Sequence, residues 1–243
     1  MRKRPRPPTP ALVLAAAALL GLVGSALAAR PALTLPADLA PAERLLLAEV
    51  SEQASVATRA DGEPFVTRRD VFEYLLDHPE LAAHVTRALK LARYRIWRDA
   101  GGLWLDDGWG ATGRFMVVYA TSGTRMMYAR GSYKTWFLPR INGQAVVVIE
   151  YAAQPAPDSR SLITTTVTGF VKLDSRGLEW AGRLAHAAAT AKAEKEARLL
   201  VRVFARASRG IESDPAGVYA LVAQHPDAPA RDLEEFRELL KLP

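Results

Sequence analysis

The stretch DVFEYLLDHPELAAHV, residues Asp70–Val85, decides the fold because it places a proline between two short amphipathic segments. Pro79 cannot continue a helix, but it suits the first turn of a new one. Asp70 with Glu73 three residues later resembles a capping box for the first helix, with Asp in place of Ser or Thr. The stretch therefore predicts two helices with a bend between them.

The two histidines of this stretch raise the question of a metal site. His78 and His84 are separated by the proline bend and lack the i, i+4 spacing that directs two imidazoles at one zinc ion. We therefore predict no metal site here and expect His78 to act as a cap or surface residue. The chain also lacks cysteine, a G-x-S-x-G elbow, an S-x-x-K box and a phosphate-binding glycine loop. No catalytic residue and no cofactor are predicted.

Downstream of Arg93 the hydrophobic period changes from helical to two, which predicts strands. Short turn signals between the strands favour an antiparallel meander. Asn142-Gly143 is the strongest of these signals for a hairpin turn. The predicted strands are Arg93–Arg98, Gly102–Leu105, Gly110–Ala120, Thr124–Leu138, Gln144–Ala152 and Ser161–Leu173; the other turn signals are at Ala100-Gly101, Asp106-Asp107-Gly108, Ser122-Gly123 and Gln154–Ser159.

A long helix is predicted after the strands, over Ser175–Ile211. Its first half is rich in alanine, and its second half carries an apolar stripe at helical spacing. Shorter helices are predicted at Pro41–Val50, Pro215–Gln224 and Arg231–Leu240, and weaker strand signals at Ala54–Thr58 or Phe65–Arg68.

This order of elements resembles the START/polyketide-cyclase-like (SRPBCC, helix-grip) superfamily. The resemblance rests on the helix pair of DVFEYLLDHPELAAHV, the hairpins of GATGRFMVVYATSGTRMMYARGSYKTWF and the closing ITTTVTGFVKLD with its helix, over roughly residues 65–211. It implies an α+β fold in which a curved antiparallel sheet of six to seven strands wraps around the long C-terminal helix, with extra terminal helices. The sequence departs from the pattern before the helix pair, where the first strand is poorly marked.

The N-terminus has the layout of a secretory signal peptide, with a basic start, an apolar run and an A-x-A-like site ending at Ala28. We therefore expect a periplasmic or secreted protein, the alternative being an uncleaved anchor. Removing four basic residues with this segment leaves 28 basic against 26 acidic residues, so nucleic acid is not an expected partner. The predicted domains are 1–28 (signal peptide), 29–64 (extension with a short helix), 65–211 (helix-grip domain) and 212–243 (C-terminal helices).

The expected binding site lies between the sheet and the alanine-rich half of the long helix, where small side chains would leave room. The alternative is that the same residues fill a solid core. The expected partner is a hydrophobic small molecule or lipid, and contact with a membrane surface is compatible with it. The predicted ligand-binding residues are Phe115, Val117, Tyr119, Met126, Tyr128, Trp136, Val147, Ile149, Thr165, Val167, Ala181, Leu184 and Ala188.

Two other functions remain open from the sequence. A cyclase- or dehydratase-type enzyme in the same cavity would need a buried acid/base pair, for which Glu150, His186 and the tyrosines are loose candidates. Strand alternation directs Glu150 outward, which favours binding over catalysis. An envelope scaffold would instead show large apolar patches on the terminal helices Pro41–Val50 or Arg231–Leu240.

Overall fold

Six helices and eight strands are found in the residues described by the computed structural model, which are 30–134, 136 and 140–243, without the side chains of residues 175–185. No helix in these ranges combines the length and the apolar character needed to cross a membrane. The helices are α1 (Pro41–Glu52), α2 (Arg69–Asp77), α3 (Pro79–Ala88), α4 (Ser175–Ser213), α5 (Pro215–Ala223) and α6 (Ala230–Leu239). The strands are β1 (Val56–Asp61), β2 (Phe65–Thr67), β3 (Arg95–Asp99), β4 (Gly102–Asp106), β5 (Ala111–Thr121), β6 (Thr124–Tyr133), β7 (Ile141–Ala156) and β8 (Arg160–Leu173).

The strands form one antiparallel sheet in the order β1-β8-β7-β6-β5-β4-β3, with β2 also paired to β8. The predicted meander and the predicted helix-grip α+β class are confirmed, although the described sheet has eight strands rather than six to seven. The poorly marked first strand is β1, which pairs with β8 from Val56↔Val171 to Asp61↔Thr166. Its sequence VATRAD is short and half polar, which explains its weak signal. The sheet therefore begins inside the segment that was assigned to the N-terminal extension.

The helix pair forms as predicted, with Pro79 as the first residue of α3. The capping box is wrong, because α2 already begins at Arg69 and Asp70 lies inside its first turn. Glu73 instead accepts hydrogen bonds from Arg69 Nε and from the Tyr151 hydroxyl, each at 2.8 Å. Tertiary contacts have thus taken the place of the local cap.

The strongest turn signal is also wrong, since Asn142 and Gly143 lie inside β7. Gly143 pairs with Gly131, and Gly131 pairs with Gly113, so three neighbouring strands carry glycine in one row. A Cβ atom built on Gly113 would lie 2.7 Å from the Arg130 carbonyl oxygen and 2.8 Å from the Gly131 Cα atom. We infer that Gly143 serves close strand approach in this row rather than a turn.

The terminal helices bury their apolar faces against the body of the protein. In α1, Leu47 and Val50 are fully buried and pack with Val146 and Phe170 on the outer face of the sheet. The helices α5 and α6 pack onto the helix pair and the end of α4 in a second cluster. That cluster contains Val71, Leu81, Val85, Ala207, Ile211, Val218, Val222, Phe236 and Leu240. A scaffold role would require large exposed apolar patches on α1 and α6. These faces are mostly covered, although Leu45 of α1 is exposed.

Candidate functional site

A cavity of about 470 Å³ lies between the concave face of the sheet and the helices α3 and α4. Its sheet wall includes the row Phe115–Ala129–Ala145–Val171, which the strand register places side by side. Its helix wall carries small side chains, which leave the space that larger residues would fill. These small residues include Ala82 and Ala83 in α3 and Ala189, Ala193 and Ala197 in α4.

The structure brings four of the predicted ligand-binding residues to this cavity: Phe115, Val147, Ile149 and Val167. The side chains of Ala181 and Leu184 lie outside the described side chains, and Trp136 is 96% exposed. Their binding roles stay predictions. The remaining members, which do not line the described cavity, are Val117, Tyr119, Met126, Tyr128, Thr165 and Ala188.

A β-bulge explains why the expected alternation fails in β5. Val117 pairs with Met127, but the next paired residue is Tyr119, which pairs with Met126. The extra residue, Val118, reverses the alternation, so Tyr119 packs with Met126 in the outer cluster beside α1. Of the predicted binding residues Phe115, Val117 and Tyr119, the bulge therefore directs Tyr119 to the opposite face of the sheet.

The register between β6 and β7 accounts for two further displaced residues. Met127 pairs with Val147 on the cavity face, so Met126 and Tyr128 point to the opposite face. The assignment of Met126 and Tyr128 to the face of Val147 is off by one residue.

A cluster of ionisable side chains, which the sequence analysis did not predict, lies on the cavity wall. The Lys192 ammonium forms ion pairs with Asp107 and, at 2.8 Å, with Glu196 Oε1. The Tyr94 hydroxyl donates to Glu196 Oε2 at 2.7 Å. Lys192 and Glu196 come from α4, Asp107 from the turn after β4, and all four residues line the cavity. We call these four residues the polar cluster.

The electrostatics of the polar cluster keep Lys192 charged and Tyr94 neutral. Burial lowers the pKa of Lys192, but hydrogen bonds to Asp107 and Glu196 and their negative charges outweigh this and raise it above its ordinary value. Burial, reinforced by the charge of Glu196, raises the pKa of Tyr94 far above its ordinary value. A protonated lysine and a neutral tyrosine are donors, and neither is a general base or a nucleophile at neutral pH.

Part of the polar cluster had an ordinary explanation in the sequence. Asp107 was interpreted as a turn residue, and its Oδ1 atom does accept from the backbone N–H groups of Trp109 at 2.7 Å and Ala111 at 2.9 Å. Its Oδ2 atom, however, faces Lys192 in the interior. One signal was available, since Lys192 and Glu196 are an i, i+4 pair of opposite charge inside the alanine-rich stripe.

The predicted acid/base candidates lie elsewhere. Glu150 is exposed, with its nearest described cation, Arg59, at 4.0 Å, so its predicted outward orientation is confirmed. His186 is also exposed. Neither residue supplies the buried acid/base pair that an enzyme in this cavity would need.

A separate cluster of possible metal ligands joins α3 to the loop before α6. Ligand atoms of His84, His225 and Asp227 lie within 4.8 Å of one another. Arg87, however, donates to His84 Nδ1 at 2.8 Å and lies 3.6 Å from Asp227 Oδ2. The guanidinium already provides the positive charge that a metal ion would bring to these ligand atoms, so the residues fit an ion-pair cluster better than a metal site.

Stability should fall as the pH drops below about 6.5, the ordinary pKa of histidine, because His84 is only 2% exposed. Burial and the charge of Arg87 lower its pKa; Asp227 opposes this shift and His225 adds to it. As the pH falls, the unfolded chain therefore binds the proton first. Each unit by which folding lowers the pKa of His84 reduces the free energy of unfolding by about 1.4 kcal/mol once both states are protonated. Urea unfolding between about pH 7.5 and 5 should show this loss.

The matched variants for this pH dependence are His84→Gln and His186→Gln. His84→Gln should flatten the slope of unfolding free energy against pH, and the same substitution at the exposed His186 is the control. An unchanged slope in His84→Gln would refute the assignment.

No family model and no curated protein matches the chain. Solved structures match it at low identity. They include XoxI from Bacillus cereus (15% identity, 65% of this chain and 98% of that chain, TM-score 0.35) and norcoclaurine synthase from Thalictrum flavum (13%, 72% and 96%, 0.33). A hypothetical protein from Helicobacter pylori also matches (10%, 73% and 100%, 0.38). At these scores the matches imply nothing about what this chain binds.

Proposed function

We propose that this protein binds a hydrophobic small molecule in the cavity between the sheet and α4. The observation that carries the proposal is the cavity itself, whose volume of about 470 Å³ suits a small organic ligand. Most of its lining residues are apolar, and a few polar groups converge at one place on its wall. Apolar burial would supply most of the affinity, and the polar cluster would orient the ligand.

Binding is favoured over catalysis by the protonation states in the cavity. Lys192 stays charged and Tyr94 stays neutral, so both act as hydrogen-bond donors. The earlier candidate base, Glu150, is exposed on the sheet. The carboxylates of Asp107 and Glu196 are paired with Lys192, and a carrier or binding role accounts for this arrangement without a further assumption.

Replacing Ala129 by phenylalanine should abolish or weaken binding by at least about tenfold, because Ala129 lies between Phe115 and Ala145 on the cavity wall. The measurement is a fluorescence titration with an environment-sensitive apolar dye, alongside a thermal melt to verify folding. Ala152→Phe is the matched control, since Ala152 is exposed on β7. Undiminished dye binding by a folded Ala129→Phe variant would contradict the proposed site.

We also propose a superfamily, a class of ligand and a membrane contact. The helix-grip architecture and the sequence resemblance support membership of the START/polyketide-cyclase-like superfamily. The apolar cavity supports two further proposals: that the ligand is a lipid and that the protein contacts a membrane surface.

Export to the periplasm or the medium is suggested by the signal-like segment ending at Ala28. Expression of the full chain in a bacterial host should yield a mature protein that starts near residue 29, as read from its intact mass. A full-length mass in the cytoplasmic fraction would contradict export.

A further inference from the structure

The charges that reach the cavity do not balance. Asp107 and Glu196 contribute two negative charges and Lys192 contributes one positive charge, so the polar cluster carries a formal charge of −1 at neutral pH. Arg114 also borders the cavity, but its guanidinium lies over the Trp104 ring at 4.9 Å and pairs with Asp99. It therefore does not neutralise the two carboxylates.

Asp107 is buried and Glu196 is partly buried, so water screens the excess charge less well than at the surface. Asp107 is 3% exposed, and its Oδ2 atom is in direct contact with the Lys192 ammonium. Buried charge without full compensation is costly, and a ligand that supplies the missing charge recovers that cost. Outside the cavity, Arg93 and Lys195 flank the exposed Trp109 ring, where solvent screens their charges.

The hydrogen-bonding pattern of the polar cluster points to the same class of ligand. Lys192 pairs with both carboxylates and Tyr94 donates to Glu196, so these donors are directed within the cluster. The two carboxylates together offer more acceptor positions than these groups supply donors, so the cluster retains acceptor capacity. A ligand carboxylate or phosphate would meet repulsion here, whereas a donor with positive charge would be attracted.

We infer that the cavity selects amphiphiles whose polar end is a protonated amine, with the amine at Asp107 and Glu196 and the apolar body against the sheet wall around Phe115 and Ala145. This inference rests on the proposed binding function and specifies the chemistry of the ligand. It also assigns to Asp107 and Glu196 a role in ligand selection in addition to holding Lys192.

The test compares three probes that share one apolar chain and differ only in the polar end: dodecylamine, dodecanol and dodecanoate. Each is titrated below its micelle concentration, at neutral pH and low salt, by displacement of an apolar dye from the wild-type protein. We expect dodecylamine to bind at least about tenfold more tightly than dodecanol, and dodecanoate to bind most weakly. Added salt should reduce these differences only modestly because the site is buried.

Two variants locate the selectivity. Glu196→Gln and Asp107→Asn remove one negative charge each and keep the size of the side chain, so each should reduce the preference for amine over alcohol by about tenfold. Glu150→Gln removes an exposed carboxylate from the same sheet and should leave the preference unchanged. If one of Glu196→Gln and Asp107→Asn does not fold, the other still tests the selectivity. The comparison of the three probes on the wild-type protein needs neither variant.

The outcomes separate the two proposals. If the protein binds the dye but dodecanoate displaces it as well as or better than dodecylamine, the amine selectivity is overturned and the cavity function stands. A preference for the amine that survives in both Glu196→Gln and Asp107→Asn also overturns it. No binding of the dye or of any probe overturns the cavity function, and the amine selectivity with it.

Discussion

Replacing Lys192 by methionine is expected to lower the free energy of unfolding by roughly 3–5 kcal/mol at neutral pH. The methionine fills a similar volume, so the loss comes from charge. It leaves the buried Asp107 and the partly buried Glu196 without the ammonium that now pairs with both. The two carboxylates then repel each other, and the buried Asp107 cannot return to water without moving the turn after β4. Urea unfolding followed by circular dichroism would measure the effect.

The neighbouring lysine provides a matched control for this prediction. Lys195→Met removes the same charge from the same helix at an exposed position, where the ammonium lies 5.2 Å from the Trp109 ring centre. Its cost should stay within about 1 kcal/mol. The double change Lys192→Met with Glu196→Gln should recover part of the stability, because it removes one of the two unpaired charges. Similar losses for Lys192→Met and Lys195→Met would show that the polar cluster is not a buried ion-pair group.

The helices were predictable because the signals that define them are local. Pro79 is fixed as a first helical residue by its own ring, and the period of the apolar residues identifies α4 without reference to any other part of the chain. The hairpin turn at Ser122-Gly123 is local as well, since Gly123 adopts a positive φ of 97°. These features together give the helix-grip class.

The cavity was harder to predict because it depends on register. One inserted residue at Val118 reverses the faces of β5, and the pairing of Met127 with Val147 moves Met126 and Tyr128 away from the ligand side. Neither the bulge nor the pairing leaves a pattern within a single strand. Predicted residues in strands without such shifts, such as Val147 and Ile149, do line the cavity.

The polar cluster was missed for a different reason. Asp107 and Glu196 are far apart in sequence and become neighbours only when α4 packs against the turn after β4. Each has a plausible solitary role, Asp107 as a turn residue and Glu196 as half of an i, i+4 pair. Charges at a distance in sequence cannot be summed until the fold places them around one cavity.

The glycine row is the second feature whose loss should have a large effect. Gly113, Gly131 and Gly143 lie side by side on three strands, and the cavity borders all three. A Cβ atom on Gly131 would contact the Thr112 carbonyl oxygen and lie 2.8 Å from the Gly113 Cα atom. Both neighbours are backbone atoms, which cannot rotate away as a side chain can. The strands would have to separate at the place where they now approach most closely.

Replacing Gly131 by alanine should therefore destabilise the protein by about 3 kcal/mol, measured by urea unfolding, although alanine itself favours ordered backbone more than glycine does. Gly169→Ala is the matched control on strand β8, because its Cβ atom would meet only the Thr58 Cγ2 atom, at 3.3 Å. That side chain can yield, so the control should change stability by no more than about 1 kcal/mol. A cost for Gly131→Ala as small as that of Gly169→Ala would mean that the strands can spread at the row, and that close backbone approach does not fix the shape of the cavity wall.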